Sequence, residues 1–408
     1  MGKRLTNQGE LRMTFLEPSK STKNDGAFVR GLQGQTGTGM ASGTHVHKDW
    51  YSKTLSFDTV FDRAEKAAQD RTDYMVERSE IQPMVADGEF KIGVRGKTFR
   101  PTDHCLQQLS ARAGVKSASI LREMRADKQC DNLDAETMVD IANNSLRRVK
   151  ADKVFRLRTY NDGTARAMLT DKYAPVDNRW YLEVLRKFLP DGRFSHDRSD
   201  EDTVYGNILL PDTILDKSAD DDTDYGGMVS IGNCEIGKRR LSQYPSIFRA
   251  ICMNGCIWGQ QKGQKISKVH RGVINLDSLE TAISENITMQ LKLLPEGLDR
   301  FLATRSQQIK GSAKGVIAAV AADFRLSKVE ATRTMEAFAK HESHQQNLFG
   351  VINAVTRAGQ LGSNDNWVRL DEIGGQLMDI TPNRWNRLNT IGGTMTDKDF
   401  ERAFALTA

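Results

Sequence analysis

Two runs of alternating residues, Val154-Phe-Arg-Leu-Arg-Thr-Tyr160 and Ala165-Arg-Ala-Met-Leu-Thr170, flank the tripeptide Asn161-Asp-Gly163. A period of two fits a pleated strand, and an Asp-Gly step supplies the positive φ that a tight hairpin needs. An all-helical fold is thereby excluded, and the neighbouring segments sort around the hairpin. Tyr181, Val184, Leu185 and Phe188 fall at i, i+3, i+4, i+7, an amphipathic helix that Pro190-Asp-Gly192 stops. Thr203 to Leu210 and Gly227 to Glu235 read as further strands, so residues 151–273 form a β-rich core with basic hairpins.

The flanks read differently. Residues 55–150 read as mainly helical after a short extended stretch at Phe90 to Val94. Thr102 is placed as an N-cap, Cys105, Leu106 and Leu109 make one apolar face, and Gly114 ends that helix. A second helix carries Ile120, Leu121 and Met124. Residues 274–408 read as a helical C-terminal domain, in which Ser327 and Glu330 form a capping box. Residues 1–54 form a flexible polar arm, because Gly31-Leu-Gln-Gly-Gln-Thr-Gly-Thr-Gly39 has too little apolar surface to offset ordering. The predicted fold class is α+β: a central twisted antiparallel sheet with a packed helix, a helical C-terminal domain and that arm.

Charge is segregated along the chain. Asp197 to Asp224 carries ten acids against Arg198 and Lys217, a balance of −8. Cys234 to Val273 carries Lys238, Arg239, Arg240, Arg249, Lys262, Lys265, Lys268 and Arg271 against Glu235 alone, a balance of +7. The whole chain is only +5, so this one segment is what an anionic partner would meet. Five cysteines are an odd count for a disulfide scaffold and suit a reducing compartment. No apolar run approaches the roughly 20 residues of a membrane span, and no apolar stretch follows Met1-Gly-Lys-Arg-Leu5. The expected setting is cytoplasmic, or a host's cytoplasm, with no membrane partner.

Four stretches carry a family resemblance. They are Phe99-Arg-Pro-Thr-Asp-His-Cys-Leu-Gln-Gln-Leu109, Ala167 to Asn178, Ile231-Gly-Asn-Cys-Glu-Ile-Gly237 running into Phe248 to Gly255, and Leu348 to Thr356. In this order they resemble the phage/plasmid-like protein family of unknown function, with Asn233-Cys234-Glu235 where that family usually reads Asn-Ser-Glu. The resemblance implies a mobile-element protein with replication or recombination as its setting, and it transfers no catalytic residue. The hairpin, helix and further strands are also similar in topology to single-strand annealing proteins of the RecT type.

The candidate binding residues follow from charge and alternation. Arg156, Arg158 and Tyr160 share one strand face, with small Ala165 and Ala167 expected opposite Tyr160 and Arg158 so that the face stays open. Two guanidinium groups and a ring on an open sheet suit phosphates and stacked bases. Lys238-Arg-Arg240 and the basic loop with Lys262, Lys265, Lys268 and Arg271 add further phosphate contacts, with Tyr244, Phe248 and Trp258 interleaved. The rival for the first set is a solvated outer face, and for the second a pairing with the acidic loop. A helix-turn-helix over Leu106 to Met124 would offer Lys116, Ser117, Ser119 and Arg122 to duplex DNA, against a plain packed helix pair.

Metal chemistry finds poor spacing. Cys252 and Cys256 lack a second pair, His341 and His344 are one residue short of the metalloprotease spacing, and His45-Val-His47 lies in the arm. Asp220, Asp222 and Asp224 open like a calcium loop, but Tyr225 replaces its glycine. No Walker sequence or nucleophile elbow is present. The expectation is a non-enzymatic, sequence-tolerant single-stranded DNA-binding protein without cofactor, acting in strand annealing or recombination and assembling with itself as a ring or filament. The alternatives are the duplex-binding regulator and a host-partner-binding protein without nucleic-acid affinity.

Overall fold

The structure, a computed structural model, describes residues 54–112, 133–197, 199, 202–218, 223–249, 254–257, 266–362 and 364–395. The expected arm up to residue 53, the second helix of the helix-turn-helix, Cys252, Trp258, Lys262, Lys265 and Asp220 to Asp222 lie outside these residues. In chain order come β1 (Leu55–Ser56), α1 (Phe57–Asp70), β2 (Arg71–Glu77), β3 (Gln82–Ala86), β4 (Glu89–Val94), β5 (Lys97–Pro101), α2 (Asp103–Arg112) and α3 (Leu133–Leu146). There follow β6 (Val154–Tyr160), β7 (Thr164–Thr170), α4 (Asn178–Phe188), β8 (Arg193–Asp197), β9 (Thr203–Ser218), β10 (Thr223–Cys234), β11 (Leu241–Arg249), β12 (Asn254–Ile257) and β13 (Ile266–Lys268). The helical part is α5 (Leu276–Ala303), α6 (Ala313–Asp323), α7 (Lys328–Ala337), α8 (Leu348–Gln360), α9 (Asn364–Met378) and α10 (Pro382–Thr394).

The protein is α+β, and its strands form two sheets. The first is antiparallel, ordered β1-β8-β9-β10-β11-β12, with β13 also on β11. The second runs β2-β6-β7-β5-β4-β3, antiparallel except where β5 lies parallel to β7. Four of its six strands come from residues 71–101, so the mainly helical reading of 55–150 is corrected. The reason is turn chemistry. Asp87-Gly88 and Arg95-Gly96 each place two successive residues at positive φ (54° and 73°, 48° and 76°), the geometry of a two-residue hairpin turn.

Three clusters hold these layers together. Val204, Ile208, Val229, Ile231 and Leu241 of the first sheet meet Val60 of α1, Tyr181, Leu182 and Leu185 of α4, and Ile283 and Ile287 of α5. The buried stripe of α4 is the one its spacing predicts, although Phe188 at its end stays exposed. Phe155, Leu157, Ile92 and Phe99 of the second sheet lie under Cys105, Leu106 and Leu109 of α2 and Met138 and Ala142 of α3. Thr102 does start α2, accepting from the Cys105 N–H at 3.3 Å. The third cluster joins Leu298 and Phe301 of α5 to α6, α7, α8, α9 and α10, and takes in Tyr225 and Ile247 of the first sheet. The long helix α5 therefore belongs to two cores at once. Ser327 and Glu330 form their capping box at the start of α7.

Candidate nucleic-acid interface

The expected open face of β6 is covered. Arg158 is 1% exposed and Tyr160 4%, with Arg156 half-buried. The small side chain of Ala167, which lies opposite Arg158, does leave room above the sheet, but the chain fills that room itself. Cys234 and Ile236, at the end of β10, pack there with Ala167, Leu169 and Tyr173. Ala165 is not opposite Tyr160. A bulge sets Thr159 against Ala165, turns Ala165 into the core, and leaves Arg166 as the extra residue, its guanidinium 4.0 Å from the Tyr160 ring centroid.

The arginines of that face are neutralised in place. Arg158 forks onto Asp73, with Nε and Nη2 each 2.8 Å from a carboxylate oxygen, and its Nη1 donates to the Glu235 carbonyl at 2.7 Å. Arg156 donates to the same Asp73 at 3.0 Å. Arg71 reaches the Glu235 carboxylate at 2.6 Å and Asp177 at 3.0 Å. Burial works to raise the Asp73 carboxyl, but hydrogen bonds from Arg158 and Arg156 outweigh it and hold the group below its ordinary value. Glu235 goes the other way: burial pushes its carboxyl up, with Arg71 and Arg158 opposing. Burial also pushes the Tyr160 phenol up. These groups form an internal ion network, so Arg156, Arg158 and Tyr160 are corrected from an exposed binding face to the joint between the two sheets.

Three of the four family-like stretches meet at this joint. His104 and Gln108 of α2 each hydrogen-bond the Ile236 carbonyl, at 2.9 and 2.8 Å. The Tyr173 hydroxyl donates to the Cys234 and Glu235 carbonyls at 3.2 and 3.0 Å. Asn233 donates to Val176 and Asn178, and the Asn178 N–H donates to the Glu235 carboxylate at 2.7 Å. The fourth stretch lies in α8 within the helical core.

The same turn that seals the joint presents Lys238-Arg-Arg240 outward. Gly237 takes φ 78°, and a Cβ there would meet Leu169 at 3.2 Å, so the chain bends away only because no side chain intervenes. Lys238 and Arg240 are exposed, while Arg239 is half-buried with its guanidinium 5.5 Å from the Tyr205 ring centroid. On the adjacent strand, Lys268 pairs opposite Leu241, the residue after Arg240. Lys268 and Arg271 are both exposed. Continuing the β11–β13 register by one residue sets Arg240 beside Val269. Among the described residues Lys238, Arg240, Lys268 and Arg271 enter no ion pair. The Gly272 N–H donates to the Lys172 carbonyl at 2.9 Å, adding exposed Lys172 to the ridge. Of the interleaved aromatics, Tyr244 is half-buried on β11.

Two acids of the acidic segment, Asp197 and Asp202, meet arginines that lie outside the basic stretch. Asp197 pairs with Arg63 at 2.7 Å and Asp202 approaches Arg166 at 3.6 Å. Two residues of the site escaped the sequence reading. Tyr173 and His270 stack with centroids 5.3 Å apart and planes 10° apart, and the His270 Nδ1 donates to the Ala174 carbonyl at 3.3 Å. A signal for Glu235 was present: it is the lone acid in a run of eight cations, which suits a buried counter-charge better than a surface group. Cys105 and Cys234 are buried free thiols, and the described residues hold no group of three or more potential metal ligands.

Together these features define an α+β protein whose two sheets are joined by a buried ion network beneath an exposed basic ridge. No family model, curated protein or solved structure matches the chain. No helix among the described residues is long and apolar enough to cross a membrane.

Proposed function

We propose that the chain is a sequence-tolerant single-stranded DNA-binding protein that holds backbone phosphates along Lys238, Arg240, Lys268 and Arg271, with Lys172 at the edge. The observation that supports this most is the β11–β13 pairing, which sets two basic stretches side by side with their cations exposed. Exposed cations at the adjoining ends of two paired strands match a repeating phosphate chain, and each contact releases counterions. Arg156, Arg158 and Tyr160 have no contact with DNA in this reading. They position the turn that carries the ridge.

The resemblance to the phage/plasmid-like family supports a mobile element as the setting, with strand annealing or recombination as the process. Lys262 and Lys265 belong to the same basic stretch and extend the proposed contact set. Self-assembly as a ring or filament is part of the proposal. The test is fluorescence anisotropy on mixed-sequence single-stranded and duplex oligonucleotides over a salt series. Four contacted phosphates give a log–log slope of about −3 for single strands. Charge reversal by R240E with K268E should lower the slope by about half and weaken binding equally across sequences. A sequence-dependent duplex preference would instead favour the regulator, and a flat salt profile the partner-binding alternative.

A further inference from the structure

The ridge has an apolar crest. Val273 is 98% exposed and Val269 50%, and they bracket Arg271 in the short segment between β13 and α5. Exposed valines are ordinary when single, but these two lie four residues apart on one short segment that backbone hydrogen bonds tie down. The Arg271 N–H donates to the Val269 carbonyl at 2.8 Å, closing a tight turn. The Ala174 N–H reaches the His270 carbonyl at 3.4 Å, the Gly272 N–H reaches the Lys172 carbonyl at 2.9 Å, and His270, 6% exposed, stacks on Tyr173. Gly272 takes φ 78° with open space around it, turning Val273 outward. The chain therefore fixes two apolar side chains in water, flanked by Lys268, Arg271 and Arg240.

A fixed apolar crest bordered by cations fits a ligand that is apolar and anionic within a few ångströms. A single strand has that pattern, with base faces on one side and phosphates on the other. Apolar side chains inserted between adjacent bases unstack them, a step that needs little energy in a strand without a partner.

We propose that residues 269–273 are a wedge: Val269 and Val273 enter between adjacent bases of the strand whose phosphates the ridge holds, leaving those bases unstacked and ready to pair. This rests on the single-strand reading above, and the two are separable. Binding is read by anisotropy of an end-labelled oligonucleotide, and unstacking by the fluorescence of an internal 2-aminopurine, which rises when its neighbours leave.

The full chain should bind and raise the 2-aminopurine signal. V273S, at a position nearly free of contacts, and the pair V269S/V273S should lose that rise while keeping the salt slope of the parent, because the phosphate contacts are unchanged. V273L, a larger aliphatic wedge, should match or exceed the parent signal. Binding without any rise, or serine variants with an undiminished rise, would overturn the wedge and leave the single-strand reading intact. A serine variant that changes the oligomeric state while the rise persists would assign the crest to a contact between copies. Absence of single-strand binding sinks both.

Discussion

Arg158 shows how one side chain changes role with its surroundings. In the alternating strand it is one of two arginines on a shared face, and in the structure its guanidinium has two oxygens of Asp73 and the Glu235 carbonyl as partners. R158A leaves Asp73, 21% exposed, with Arg156 as a remaining partner and takes one donor from the Glu235 carbonyl, so it should destabilise the protein by about 1–3 kcal/mol. Urea unfolding checks this, and a change below about 1 kcal/mol would mean that water readily reaches Asp73. Two histidines at the same joint set a pH dependence. Burial pushes His104 and His270 below the ordinary 6.5, against hydrogen bonds to the Ile236 and Ala174 carbonyls. The unfolded chain takes those protons near pH 6.5 and the folded chain only at lower pH, so the unfolded state binds more protons in between. Stability should fall as pH drops below about 6.5, and H104Q/H270Q should flatten that part of the curve measured by urea midpoints.

At the scale of elements, local chemistry and tertiary contact divide the work. The α7 start is local: Ser327 accepts from the Glu330 N–H and Glu330 accepts from the Ser327 N–H. Glu330 also receives Arg369 of α9, so the cap joins two helices. S327A should cost about 1 kcal/mol, read from the thermal midpoint with α-helical circular dichroism as the probe. The hairpins of the second sheet were equally local. Asp87-Gly88 and Arg95-Gly96 carry the turn signal, and Phe90, Ile92 and Val94 alternate between them, so this part of the sheet was legible locally. The bulge at Arg166 is different in kind, since nothing in Ala165-Arg-Ala167 announces it. Its arginine reaches Asp162, Thr164 and the Tyr160 ring, and those contacts hold the irregular register.

Across the whole molecule, the two sheets share no strand, and Glu235 joins them. It follows the last residue of β10 in the first sheet while Arg71 of β2 and Arg158 of β6 reach it from the second. A second buried pair, Arg249 with Glu342 at 3.2 Å, links β11 to the helical layer at the π-helical turn Phe338–Glu342. Both joints bury opposite charges in a molecule whose described basic ridge remains outside, so counter-charge is used inside and excess charge is displayed. The α+β class, the Asn161-Asp-Gly163 hairpin, the apolar stripe of α4 and the position of the basic stretch are legible along the chain, because periodicity and turn residues act within a few positions of one another. Which face of β6 meets water was settled by long-range packing. Alternation states which side chains share a face, but the cover comes from Cys234 and Ile236, more than seventy residues on, and no local pattern specifies where so distant a segment will pack.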